Sequence, residues 1–450
     1  MLSIRRSLLP TMAALLALGA LAGGNVGVAA ASWSSPAHIP GTGGLANPVS
    51  ATAPDGTSVV IWTEGTSVGT QNAVHALVRR AGQARWQDVP VRLKASFLQG
   101  IVTVPTPAGD LWIAYQTGIN GEVFVSKLDA SALHWSKPSR VFHQTGYAHA
   151  GPLIGRAGDG TLVVAAYAPP ISPPAGDPVY RTVVATRRPG GSWAQWFLSP
   201  VDKHSGPGGL AVNEAGDIVV ASIEGYNLAD MTVVAATRSH AAGAKWKIRP
   251  LSDAGDSQGR LGVAIGRDGT AAVAWPATST SFAAIRMATI DVRLPLDPWV
   301  GRDVTTGTPS ASGPHVVVAP DGQVDVAWTR YTGGEQVVWS RHLSGNTLSP
   351  AVQLSPNGRI TALASMLLRP DGKTALLYHV FSPSIVSEGL RFRVLVGGVP
   401  GPEVVLTGSL DIDGAANGES LTVDGRSRGT VIYTRGDYPD TDFVWLSQAP

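Results

Sequence analysis

Short apolar runs recur along the chain and are cut, at nearly even intervals, by turns that pair glycine with aspartate. Around Asp321 the pattern is easy to follow. Pro314 to Ala319 is apolar, Pro320-Asp321-Gly322 is a tight turn, and Val324-Asp325-Val326-Ala327-Trp328 alternates in character. Thr329 to Glu335 reads as a polar loop and Gln336 to Arg341 as a third run. A turn at Gly345-Asn346 then leads into Ala351 to Ser355. Runs of this length, rich in valine and aromatics and bounded by Gly, Pro and Asp, predict β-strands, and no window sustains a helical period. The expectation is an all-β chain built from units of four antiparallel strands.

The unit repeats eight times. Its turns are Asp55-Gly56, Gly109-Asp110, Asp159-Gly160, Gly216-Asp217, Asp268-Gly269, Asp321-Gly322, Asp371-Gly372 and Asp424-Gly425, with steps of 54, 50, 57, 52, 53, 50 and 53 residues. A period near fifty with four strands per copy predicts an eight-bladed β-propeller, seven blades being the alternative if one copy is spurious. The second strand of most copies ends in an aromatic (Trp62, Tyr115, Tyr167, Trp275, Trp328, Tyr378, Tyr433), with Ile223 the exception. Placed periodically in strands, these rings are expected in the core; sugar stacking would require aromatics at loop tips. The turn aspartates are expected to accept a backbone hydrogen bond two residues on.

The termini complete the pattern. The last copy runs out after Phe443 to Ser447, one strand short, whereas Trp33-Ser34-Ser35-Pro36 matches the fourth-strand words Trp135-Ser136-Lys137-Pro138. The N-terminal strand is therefore expected to complete the last blade and cover its edge. Before it, Arg5-Arg6, the apolar run Leu8 to Leu21 and Ala29-Ala30-Ala31 predict a signal peptide over 1–31, by the general or the twin-arginine route. Residues 32–450 are then a single secreted domain.

Composition removes several functions. The chain has no cysteine, which excludes disulfides, thiolate metal sites and a cysteine nucleophile. Lys and Arg total 34 against 32 Asp and Glu, with no basic stripe, so nucleic acid is not the expected partner. No histidine or carboxylate spacing points to a metal, no motif to a cofactor, and a monomer is expected.

The Asp-Gly turn, the valine-rich strand, the basic end of strand three (Arg79, Lys127, Arg187, Arg238, Arg341) and the Gly-rich turn before Trp resemble the BNR/sialidase-type propellers of secreted bacterial proteins. The resemblance spans residues 32–450 and implies the propeller fold. It also implies what a sialidase would need: three arginines on a substrate carboxylate and a Tyr–Glu nucleophile pair. The family's Ser-x-Asp-x-Gly-x-Thr-Trp box is reduced here to Gly190-Gly191-Ser192-Trp193, and His38-Ile39-Pro40 stands where the family has Arg-Ile-Pro. Those departures speak against sialidase activity.

In four-stranded units of this order, the 2–3 and 4–1 connections emerge at one end of the sheets and the Asp-Gly turns at the other. The long, irregular connections all fall at the first end, where variable loops on a rigid scaffold carry function. Glu64, Glu224, Arg330, Glu335, Arg435 and Asp437 are the ligand-binding candidates there, with His143, His149 and His204 nearby in sequence. Three readings follow. The first is a non-enzymatic propeller binding a glycan or another extracellular or envelope partner; the second is a divergent sialidase-like glycoside hydrolase; the third is a structural envelope protein. Exposed aromatics on the loop-rich rim favour the first, clustered acids with Arg or Tyr the second.

Overall fold

The computed structural model describes residues 32–39, 45–64, 73–91, 93, 98–117, 121–142, 150–168, 179–200, 203–226, 230–255, 259–278, 283–294, 298–305, 310–384, 386–408, 419–435 and 442–448. The expected export segment, His143, His149, Asp437 and the side chains of Glu64 and Arg435 lie outside the described residues. Trp33–Pro450 forms one compact unit.

Every regular element among the described residues is a strand, and the strands form four-stranded antiparallel sheets of the β-propeller kind. Sheet A is Leu45–Thr52, Ser58–Glu64, Ala73–Arg79 and Gln87–Asp88, paired in that order. Sheet B holds Leu98–Pro105, Leu111–Thr117 and Glu122–Asp129, with the short pieces His134–Trp135 and Ser139–Arg140 both on its third strand. Sheet C is Ala150–Arg156, Leu162–Ala168, Arg181–Arg187 and Ala194–Phe197. Sheet D is Ser205–Val212, Ile218–Glu224, Thr232–Arg238 and Lys247–Pro250, and sheet E is Gly262–Ile265, Thr270–Thr278, Ala283–Asp291 and Val300–Asp303.

Sheet F is longer. Its first half is Ala311–Val318, Val324–Thr332 and Glu335–Ser344 with Thr347–Leu348 and Val352–Gln353; its second is Ile360–Leu368, Thr374–Phe381 and Ser387–Val396 with Val399–Pro400 and Val404–Val405. A single parallel pairing, Gln336 with Ile360, joins the halves. Sheet G is Ser420–Val423, Gly429–Arg435 and Asp442–Ser447, and its fourth strand is the N-terminal Ala37–His38, with Ala37 opposite Trp445 and His38 opposite Val444. The chain start thus covers the edge of the last sheet.

First strands pack on first strands from A through G, and Ser420–Val423 packs back on Leu45–Thr52. Second strands are buried on both faces because each sheet is covered on both sides. The expected alternation in Val324 to Trp328 is therefore absent: all five residues are buried. Asp325 tolerates this because His342 Nδ1 lies 2.7 Å from its carboxylate and Thr374 Oγ1 donates to it. Trp62, Trp275, Trp328, Tyr115, Tyr378 and Tyr433 are likewise fully buried between sheets. The basic ends of third strands have a role in this packing. Arg79 lies over Trp445 of sheet G at 4.3 Å, Arg187 over Trp112 of sheet B at 5.2 Å, and Arg238 over Trp196 of sheet C at 4.7 Å, each tying one sheet to another.

The eight turns between first and second strands share one geometry. In each, a residue X donates its N–H to the carbonyl of X+4 at 2.7–3.1 Å, and the N–H of X+3 returns to the carbonyl of X at 2.9–3.2 Å. X is Ala53, Thr106, Ala157, Asn213, Gly266, Ala319, Arg369 or Asp424. Position X+3 needs positive φ, which glycine supplies at 78–96° in seven copies. An aspartate at X+2 caps its own turn, as where Asp55 accepts the Thr57 N–H at 2.8 Å and Asp159 that of Thr161 at 2.8 Å. The eighth copy corrects the sequence reading. Asp424 occupies X rather than X+2, accepts the N–H groups of Arg426 and Arg428 at 2.9 Å each, and leaves Ser427 at φ 63° in the glycine place.

Two copies carry aspartate at X+4 instead. Asp110 is paired with Lys127 of its own sheet. Asp217, whose side chain is fully buried, collects Asn213 Nδ2 at 2.9 Å, the His240 N–H at 2.8 Å, His240 Nδ1 at 2.6 Å and, from sheet E, Arg293 Nε at 2.9 Å. Burial pushes its pKa up, but these donors together hold it below the ordinary aspartate value.

Candidate functional site

The loop-rich end of sheets C and D carries a run of aromatic rings in contact. Tyr167 is the penultimate residue of the second strand of sheet C, Tyr180 directly precedes its third, His204 precedes the first strand of sheet D, and Tyr226 follows the second strand of sheet D. Ring centroids are 6.3 Å apart for Tyr167 and Tyr180, 5.9 Å for Tyr180 and His204, and 4.8 Å for His204 and Tyr226. The first and last contacts are edge-to-face (74° and 79°) and the middle one is stacked at 29°.

Backbone hydrogen bonds fix the group. Ser205 N–H donates to the Tyr180 carbonyl at 2.7 Å and Gly225 N–H to the His204 carbonyl at 2.9 Å. Tyr180 N–H donates to His204 Nδ1 at 3.2 Å. A backbone N–H can only donate, so Nδ1 is the accepting nitrogen and the proton of neutral His204 sits on Nε2. Gly225 has φ 151°, and a Cβ there would lie 2.8 Å from the Asp230 carbonyl oxygen, so glycine lets the chain turn back beside Tyr226. Gly206 similarly leaves room for the Tyr167 ring, 3.1 Å from where its Cβ would be. Tyr180 and Tyr226 remain 37 % and 52 % exposed. Two large rings at the surface, pinned by these backbone hydrogen bonds, present an apolar face with hydroxyls and an imidazole N–H at its edge.

The candidates read from sequence scatter. Glu224 is buried and directly precedes Gly225-Tyr226; its strand partner Ser205 directly follows His204, so the structure brings this acid to the aromatic group. Arg330 belongs to sheet F, where its guanidinium lies over Trp339 at 5.2 Å. Glu335 lies on the same hairpin. The polar loop expected over Thr329 to Glu335 is instead strand on both sides of a two-residue turn, Gly333-Gly334, with φ of 59° and 89°. Sheet E separates these two residues from Glu224, and the structure does not gather the three into one site. Tyr180 and Tyr226 were missed as candidates; the available signal was that they are aromatics outside the periodic strand-end position, in segments where the repeat breaks.

Two other constellations look like chemistry and are architecture. Tyr378 contacts Glu403 and receives Arg393 Nε at 3.1 Å, with Arg391 Nε 3.7 Å from Glu403. The Tyr378 ring is wholly buried, and burial first, then Glu403, pushes its pKa up, away from a nucleophilic phenolate. Ser387 Oγ lies 2.8 Å from His379 Nε2, and His379 Nδ1 lies 2.8 Å from Glu419. That imidazole is also fully buried, beneath Phe381 at 3.9 Å, and links sheet F to the residue that opens sheet G. No cluster of three or more metal-ligating side chains occurs among the described residues.

No family model and no curated protein matches the chain. Solved structures with a similar course include the polysaccharide lyase Uly1, at 11% identity over 91% of this chain and 90% of that one, with a TM-score of 0.49. A protein of unknown function from Dyadobacter fermentans is 14% identical over 93% and 99% of the two chains, with a TM-score of 0.44. The GH93 α-L-arabinofuranosidase of Fusarium graminearum is 13% identical over 69% and 98%, with a TM-score of 0.38. At these values the likenesses say nothing of this chain's chemistry.

Proposed function

We propose that the chain is an exported, eight-bladed β-propeller that binds a glycan without transforming it, through Tyr180, His204 and Tyr226. The exposed aromatic group carries the reading. Pyranose rings have apolar C–H faces that pack on tyrosine, while rim hydroxyls and His204 Nε2–H offer hydrogen bonds to sugar hydroxyls. Rigid presentation lowers the entropy lost on binding. Eight blades are supported by the single parallel pairing inside sheet F, which leaves each half a four-stranded unit of its own. Export is supported by the Arg5-Arg6 start and apolar run.

A glycan-array screen of the purified protein tests the reading, run beside a fluorogenic glycosidase panel. Array binding with no turnover is the expected result. Turnover of any panel substrate, or a blank array, overturns it.

A further inference from the structure

At the opposite end of the sheets, between the turns of B and C, lies a cleft of about 680 Å³. It is large enough for a sugar-sized ligand. Four cations reach it, Lys127, Arg156, Arg187 and Arg188, against one carboxylate, Asp110. Asp110 is already paired with Lys127. Arg187 is held as a wall, over Trp193 at 4.7 Å and Trp112 at 5.2 Å, with Nη1 donating to Ser139 Oγ at 3.2 Å. The guanidinium groups of Arg156 and Arg188 have no hydrogen-bonding or ionic partner among the described residues. Gly160, Gly190 and Gly191 contribute no side chains that could fill the space.

At two other junctions of the same kind the turn arginine has a carboxylate partner, and Arg79 beside the G–A cleft is held by Ser58 Oγ and Trp445. Between G and A the corresponding cleft is about 250 Å³, and its Arg428 is bonded to Asp424 at 2.6 Å. Between D and E, Arg293 is bonded to the buried Asp217 at 2.9 Å. The B–C cleft alone among these three leaves guanidinium groups unpaired beside an open space. Guanidinium forks match the oxygens of carboxylate or sulfate and bind them strongly where water is partly excluded.

We propose that the B–C cleft is a second binding site, independent of the aromatic group, for an acidic saccharide whose carboxylate or sulfate is held between Arg156 and Arg188. The test is fluorescence-anisotropy titration with a labelled heparin hexasaccharide and a labelled hexagalacturonate, with labelled maltohexaose as the neutral arm. At least one acidic probe is expected to bind and the neutral one not. Heparin alone assigns sulfate; hexagalacturonate alone assigns carboxylate. Arg156→Ala and Arg188→Ala are each expected to weaken binding about tenfold, and Tyr226→Ala to leave it unchanged. Arg188→Glu, at an exposed residue, is expected to abolish it while leaving the thermal midpoint unchanged. Neither acidic probe binding, equal binding by wild type and Arg188→Glu, or protection by sodium sulfate in a thermal melt with no saccharide bound would each overturn the proposal.

Discussion

Two turns of the same sequence word end in opposite situations. Gly109-Asp110 and Gly216-Asp217 both place glycine at the positive-φ position and aspartate one residue later, with the same backbone hydrogen bonds. Asp110 is taken by Lys127 from its own sheet, and the neighbouring junction stays open and cationic. Asp217 is buried among Asn213, His240 and an arginine that follows the third strand of sheet E, which pairs the charges of its junction. The turn is a fixed backbone device; what it does for the protein depends on which cation arrives from the adjoining sheet. A junction that satisfies its own charges is scaffold, and one that does not is available to a ligand.

The largest expected effect tests the closed junction. Asp217→Ala removes the buried carboxylate shared by His240 and Arg293, leaving Asn213 Nδ2 to the Gly266 carbonyl and Arg293 to that of Arg267, and is expected to cost about 2–3 kcal/mol in urea denaturation. Asp110→Ala removes a single ion pair whose carboxylate is 16 % exposed, where that of Asp217 is fully buried, so it is expected to cost less than about 1 kcal/mol. Similar losses in the two variants would erase the distinction. The next effect lies in the pH dependence. The Asp217 pKa is depressed, so its stabilisation is complete above the unfolded-state value near 3.9 and is lost as pH falls through the lower folded value. Urea midpoints at pH 7 and pH 3 are expected to differ by less in Asp217→Asn than in the wild type.

A smaller contrast comes from the glycines. A Cβ at Gly109 would meet the Asp55 carboxylate at 2.5 Å, whereas at Gly216 its nearest neighbour is the His240 Cβ at 3.5 Å. Both substitutions carry the left-handed penalty of about 1–2 kcal/mol. Gly109→Ala is expected to exceed Gly216→Ala because the Asp55 carboxylate, which caps its own turn at Thr57, must also move. Equal thermal shifts would show that the close approach is not real. The smallest effect on stability belongs to Tyr226→Ala, within about 0.5 kcal/mol of the wild type since the ring is half exposed.

Much of this fold was legible because its signals are local and repeated. Glycine at the positive-φ position, aspartate capping two residues on, and an aromatic closing the second strand each follow from backbone geometry that eight copies share. The misreadings come from effects a single strand does not show. Val324 to Trp328 alternates as a word, yet burial on both faces makes the alternation irrelevant, and Asp325 survives there only through His342 and Thr374. Asp424-Gly425 has the right letters two positions out of place, because Asp424 caps from position X and Ser427 takes the left-handed residue. Among site candidates, Glu224 ends a strand at the loop-rich face, where its partner Ser205 follows His204. Arg330 was chosen for its charge, which Trp339 engages. Tyr180 and Tyr226 fall outside the period that marks the core aromatics, so the repeat carries no signal for them.

The central claim, that ligand recognition sits where the repeat breaks, is tested most directly by calorimetric titration of an array-identified glycan into wild type and Tyr180→Ala/Tyr226→Ala. The prediction is at least about a tenfold loss of affinity with an unchanged unfolding midpoint. An unaltered Kd in the double variant would contradict it.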